Sequence, residues 1–154
     1  MDRILTPRIL TIAGSDSSGG AGIQADIKTI TMLGGYAMTA ITAVTAQDTT
    51  GVHQVEVLSP DLVAAQIDAC LSDLGVDAIK IGMLGSAGIA EVVAGRLERL
   101  AVPVVFDPVM VATSGAALAD VATQAAFSRL IGIASLVTPN LPELAALGVS
   151  ILRA

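Results

Sequence analysis

Short apolar runs alternate with amphipathic helical stretches along most of this chain, and that alternation constrains its fold more than any other feature. Arg8–Ala13 is an apolar run ending in the glycine-rich stretch Gly14–Gly22. Ile23, Ile27, Ile30 and Leu33 then fall at helical spacing, and Gly34-Gly35 stops the helix. Ser59-Pro60-Asp61 starts a second helix with a hydroxyl at the N-cap and proline in the first turn, and Val63, Ile67, Cys70, Leu71 and Leu74 share one face up to Gly75. Asp77–Gly82 reads as a strand, Ile89, Val92, Val93, Leu97 and Leu100 as a helical stripe, and Val102–Phe106 as a buried strand. A helix near Val121–Ile131, a run Ala134–Val137 and a short helix from Leu141 complete the pattern. Near-continuous apolar strands separated by helices predict a parallel sheet covered on both faces. One pair departs from the rule. Tyr36–Val44 and Val52–Leu58 follow each other with only the loop Gln47–Gly51 near their junction, which predicts an antiparallel or flap-like part of the sheet.

Composition narrows the function classes. Of 154 residues, 53% are apolar and 14% charged, and the mean hydropathy is +0.77, which excludes intrinsic disorder. The most apolar windows are broken by Pro103, Asp107, Gly132 and Ser135, far short of the roughly 18 uninterrupted apolar residues of a spanning helix, so no membrane partner is expected. The net charge is −6 and the lysines are Lys28 and Lys80 alone, so no basic patch exists for nucleic acid. A lone Cys70 excludes an internal disulfide, and a lone His53 argues against a histidine-based triad or metal cluster. The opening MDRILTPRIL lacks a secretory apolar core, so a cytoplasmic location is the expectation, with residues 1–154 read as a single domain.

Ligands of open α/β sheets bind at the carboxyl ends of the strands, which here means the loops Gly14–Gly22, Gln47–Gly51, Gly82–Ser86, Asp107–Gly115 and Thr138–Glu143. The first, AGSDSSGGAG (Ala13–Gly22), has neither the Gly-Lys-Ser/Thr ending of a Walker loop nor dinucleotide-turn spacing. Asp26, one turn into the next helix, is either an ordinary first-turn carboxylate or an acceptor aimed at a ligand amine. Gln47 offers a donor and an acceptor to a heterocycle, and Met83 suits the wall beside a flat ring. Lys80 interrupts a buried-looking strand, for which a structural ion pair is the plain account. Asp107 and Glu143, with Asn140, form a set suited to magnesium held largely through water and phosphate oxygens, although Glu143 reads equally well as a helix-start carboxylate. His53 reads as a surface residue and Cys70 as core.

Together, ILTIAGSDSSGGAGIQADIKT (Ile9–Thr29), GGYAMTAITAVTAQDTTGV (Gly34–Val52), IKIGML (Ile79–Leu84), VFDPVMVATSG (Val105–Gly115) and LVTPNLPEL (Leu136–Leu144) resemble the hydroxymethylpyrimidine/phosphomethylpyrimidine kinases of thiamine biosynthesis. Pyridoxal kinases are the nearest confusable relatives. The resemblance implies a ribokinase-like three-layer α/β/α fold with a mostly parallel sheet, and transfer of the ATP γ-phosphoryl group to 4-amino-5-hydroxymethyl-2-methylpyrimidine and then to its monophosphate. It implies that Gly14, Ala21, Asp26, Gln47, Met83 and Val109 line the pyrimidine site, that Asn140 and Glu143 lie by the nucleotide, and that Asp107 and Glu143 lie by Mg2+. The family's KGGH strand and its GTGC motif, which supplies the anion hole and the base, have no counterpart here, so no catalytic residue is assigned and the fold is expected to be truncated at its C-terminus. A sheet left uncovered in this way would expose an apolar edge, from which a homo-oligomer, a dimer, is expected. A catalytically silent pyrimidine-binding or interaction module is the rival expectation.

Overall fold

Residues on either side of a strand point to opposite faces of its sheet, and in this protein that rule separates two chemistries. The computed structural model describes residues 6–111 and 118–148. Its elements run β1 (Arg8–Asp16), α1 (Gly22–Met32), β2 (Tyr36–Gln47), β3 (Val52–Val57), α2 (Pro60–Asp73), β4 (Ala78–Ile81), α3 (Ala87–Leu97), β5 (Val104–Phe106), α4 (Val121–Ile133), β6 (Leu136–Val137) and α5 (Leu141–Ala146). They form one six-stranded sheet in the order β3-β2-β1-β4-β5-β6. Every pairing is parallel except β2 with β3, which is antiparallel, as expected for two strands with no helix between them. The fold is α/β with a mostly parallel sheet, as the alternation of elements predicts.

Leu10 and Ile12 of β1, Met38 and Ala40 of β2, Ile79 and Ile81 of β4, and Val104 and Phe106 of β5 turn to one face. There they join Val63 and Ile67 of α2, Ile89, Val93 and Leu97 of α3, and Phe127 and Leu130 of α4 in one buried cluster. Phe106 and Phe127 meet edge to face, with ring centroids 5.1 Å apart. The intervening residues, Thr11 and Lys80 among them, turn to the opposite face, where α1 carries Asp26. The sheet is thus sandwiched between α1 and the α2–α4 layer.

Local chemistry sets the helix ends. Ser59, Ser86 and Asp120 cap α2, α3 and α4 by accepting from the N–H of Leu62, Ile89 and Thr123. Gly75 follows α2 at φ +69°, a left-handed conformation that favours glycine.

Several expected boundaries move. β1 continues through Gly14 and Ser15 to Asp16, because the long β2 pairs it that far, Ser15 with Val44 and Asp16 with Thr45. A register shift between Ala13 and Ser15 accommodates the extension, and the glycine-rich connection shrinks accordingly. β2 extends to Gln47 rather than ending at Val44. β5 starts at Val104, after Pro103, and Ala134 is the C-cap of α4 rather than part of β6. The Asp107–Gly115 loop lies partly outside the described residues, beyond Val111. No helix among the described residues is long and apolar enough to cross a membrane.

Candidate functional site

At the carboxyl ends of β1, β2, β4, β5 and β6 the chain encloses a cavity of about 410 Å³. Gly14, Ala21, Gln47, Met83, Asp107, Val109, Asn140 and Glu143, all expected near a ligand, line it, together with Ser15, Asp16, Lys80 and Thr138. Cys70 and His53 lie elsewhere. Cys70 packs partly buried against the core, and burial pushes its thiol pKa up. His53 is exposed and pairs with Asp48 at 2.8 Å.

The first wall is organised by Asp16, which the sequence reading passed over. Only 3% exposed, its carboxylate accepts from the backbone N–H of Ser18, Gly20 and Ala21 at 2.8–2.9 Å and from the Ser18 hydroxyl. Burial alone would raise its pKa, but the hydrogen bonds from Ser18, Ala21 and Gly20 prevail and hold it below the ordinary aspartate value. The signal was present in Asp16-Ser17-Ser18-Gly19, a sequence able to make an Asx turn, in which an aspartate accepts from the N–H two residues on. Gln24 of α1 completes this wall, accepting from the Asp16 N–H at 2.8 Å and donating to Ser15 Oγ at 2.7 Å. Gly22 is at φ +56°, and a Cβ there would run into the Gly14 carbonyl. That close approach lets α1 begin directly against β1.

The second wall is the end of β2. Ser17 Oγ donates to the Gln47 carbonyl at 2.7 Å and accepts from the Gln47 N–H at 2.8 Å, so the Gln47 backbone is fixed while its side chain lines the cavity. Met83 stands opposite, its carbonyl accepting from Thr42 Oγ1 at 2.6 Å. The Met83 methyl occupies the space that any side chain on Gly14 would need.

Asp26 is placed differently from expectation. It does not line the cavity; its side chain is 16% exposed, and its Oδ2 accepts from Thr11 Oγ1 at 2.5 Å and from Lys80 Nζ at 3.1 Å. The structural ion pair foreseen for Lys80 therefore exists, and Asp26 is its partner. Thr11 and Lys80 are register partners across β1 and β4, so their side chains share a face and converge on the α1 carboxylate.

The far wall carries the acids. Burial raises the pKa of the half-buried Asp107; Lys80 opposes that shift, and Glu143 and Asp26 add to it. No hydrogen bond among the described residues reaches the Asp107 carboxylate, which lines the cavity. Glu143, 5% exposed, is already engaged: Oε1 accepts from the Met110 N–H at 3.3 Å and Oε2 from the Asn140 N–H at 2.9 Å. Asn140 Oδ1 accepts from the Glu143 N–H in return, a capping box that starts α5. The helix-start reading of Glu143 is thus the one these bonds display. Among the described residues, no three acidic, histidine or cysteine side chains gather as a direct metal cage. Asp107 and Glu143 suit a hydrated cation, with Asp107 supplying the free oxygens.

Comparison with known proteins identifies the family. The family model described as phosphomethylpyrimidine kinase matches residues 16–152. The chain belongs to the phosphomethylpyrimidine kinase family. It is 54% identical over 140 residues to the hydroxymethylpyrimidine/phosphomethylpyrimidine kinase of Escherichia coli, covering 90% of this chain and 53% of that protein. Among solved structures, the phosphomethylpyrimidine kinase of Clostridium difficile superposes with a TM-score of 0.88 at 42% identity, over 96% of this chain and 65% of that one. A pyridoxal kinase from Staphylococcus aureus, solved with AMP-PCP and pyridoxal, gives 0.82 at 38% identity, over 97% of this chain and 54% of that one. The chain thus spans about half the length of the curated phosphomethylpyrimidine kinases that it matches.

Proposed function

We propose that this chain takes part in ATP-dependent phosphorylation of 4-amino-5-hydroxymethyl-2-methylpyrimidine and of its monophosphate, and that the cavity at the strand ends is the substrate site. The observation that carries the reading is the convergence of residues from Gly14, Ala21, Gln47, Met83, Asp107, Val109, Asn140 and Glu143 on one cavity, in a chain of this family. The pyrimidine ring would lie against Met83, with the Gln47 amide offering both a donor and an acceptor to its heteroatoms. Asp26 supports this floor from beneath. Asn140 and Glu143 mark the nucleotide side.

Magnesium fits a water-mediated site better than a caged one, since both Glu143 oxygens already hold backbone N–H groups while the Asp107 carboxylate holds none among the described residues. When bound with ATP it would neutralise charge on the phosphate oxygens. What this chain itself would contribute is positioning: Asp107 would hold the hydrated cation, and Gln47 and Met83 would hold the ring. Phosphoryl transfer depends chiefly on such positioning and on charge neutralisation. A cytoplasmic location and a homodimer belong to the same reading; for the dimer, exposed Val44, Val55 and Val57 on β2 and the edge strand β3 offer apolar surface.

Incubation of the protein with the pyrimidine and Mg·ATP, read by mass spectrometry, tests this. Phosphorylated product should form well above a protein-free control and fall about 10–100-fold in Asp107→Ala, the loss usual for an outer-sphere metal partner. Pyrimidine binding without any product would favour the silent binding module, and product from pyridoxal alone would move the substrate to the vitamin B6 class.

A further inference from the structure

We infer that Lys80, held by Asp26, is the residue that meets the ligand at the cavity floor, donating a hydrogen bond to an acceptor on it. In the function proposed above, on which this inference rests, that acceptor is a ring nitrogen of the pyrimidine. The sequence suggested the reverse, with Asp26 as the contact.

β4 is paired on both sides, by β1 and β5, and Ile79 and Ile81 flanking Lys80 are buried in the core. A lysine in the middle of such a sheet gives up hydration and needs partners. Its ammonium has three donors. Asp26 Oδ2 takes one at 3.1 Å, and no other hydrogen bond from Lys80 is formed among the described residues. The side chain is 29% exposed and lines the cavity, whereas Asp26 does not. Lys80 is also the one basic side chain among the described residues lining it, in a cavity otherwise supplied with the carboxylates of Asp16, Asp107 and Glu143.

Gly82 keeps the ammonium accessible. A Cβ at that position would stand 2.9 Å from Lys80 Nζ and 3.1 Å from Ala13 Cβ, so any side chain would push the ammonium off its place. Thr11 restrains the other end: by donating to the same Asp26 oxygen, it fixes the carboxylate that anchors Lys80. Thr11, Asp26 and Gly82 are therefore positioning residues, and Lys80 is the contact.

Calorimetric titration with 4-amino-5-hydroxymethyl-2-methylpyrimidine should show Lys80→Met binding about 10–100-fold more weakly, the value of a hydrogen bond from a charged donor. Asp26→Asn should lose less, because the ammonium remains. Gly82→Ala, which retains Lys80 but crowds it, should also weaken binding, and decides the matter if Lys80→Met fails the thermal-melt control. Analogues with one ring nitrogen replaced by C–H locate the contact. One of them should bind the wild type poorly and lose nothing more on Lys80→Met. Wild-type affinity in both Lys80→Met and Gly82→Ala, a larger loss in Asp26→Asn than in Lys80→Met, or a loss confined to ATP would overturn the assignment. Failure of the unaltered protein to bind any pyrimidine would instead strike the proposed function and the ligand named here with it.

Discussion

The two faces of one sheet behave as different materials. On the α2–α4 side, Leu10, Ile12, Ile79 and Ile81 meet only apolar partners and are essentially inaccessible to water. On the α1 side, one residue over on the same strands, Thr11 and Lys80 meet a carboxylate, and Lys80 reaches the cavity beyond it. Apolar burial is concentrated on the first face and the cavity opens on the second. A single-residue register slip in β1 or β4 would exchange them, so the period of the strand places both the core and the site.

Paired substitutions on β1 probe this contrast most strongly. Leu10→Ala should destabilise the protein by about 2–5 kcal/mol through lost burial and a residual cavity. Thr11→Val, which keeps the shape and removes one hydroxyl, should cost about 0.5–1.5 kcal/mol. Chemical denaturation measures both, and equal losses would mean that the two faces are not distinct.

A smaller effect sharpens the cavity side. Asp16→Asn should cost about 1–3 kcal/mol at neutral pH, because an amide nitrogen would face the N–H groups of Gly20 and Ala21. The folded pKa of Asp16 lies below its ordinary value of 3.8, so its contribution is complete well above pH 3.8 and disappears as pH falls through the folded value. Wild type and variant should accordingly converge in acid. A constant gap across the acid limb would show that the carboxylate charge is not what holds the loop.

A further modest effect has the opposite sign. Asp107 has a folded pKa above 3.8, so ionising it in the folded state costs stability, and that cost grows as pH rises from 3.8 through the folded value. Asp107→Asn should therefore raise the stability of the ligand-free protein at neutral pH, on the order of 0.5–2 kcal/mol, and leave it unchanged in strong acid. Thermal melts at both pH values decide this. An unchanged or lower melting temperature at neutral pH would mean that Asp107 is comfortably solvated and not held ready for a ligand.

Much of this was legible in the chain. The helix start at Ser59 depends on a hydroxyl and the next few residues, so local sequence determines it. The parallel sheet follows from apolar runs separated by helices, and its antiparallel edge from the missing helix between β2 and β3. The loop motifs likewise pointed to the strand ends, because in a parallel sheet those ends lie on one side, and Gly14, Gln47, Met83, Asp107 and Glu143 do meet there.

What the sequence left open was which atoms engage. Asp26 lies 15 residues from Thr11 and 54 from Lys80, and only the docking of α1 on β1 and β4 brings the three together. Glu143 reads as a cap or as a ligand until Met110, 33 residues earlier, arrives to occupy its second oxygen. The extension of β1 through Gly14 similarly waits on a partner strand long enough to pair it. Periodicity and capping are short-range and written in consecutive residues, whereas the partner of a buried charge is chosen by the packing of distant segments, where an unpaired carboxylate or ammonium is too costly to leave alone.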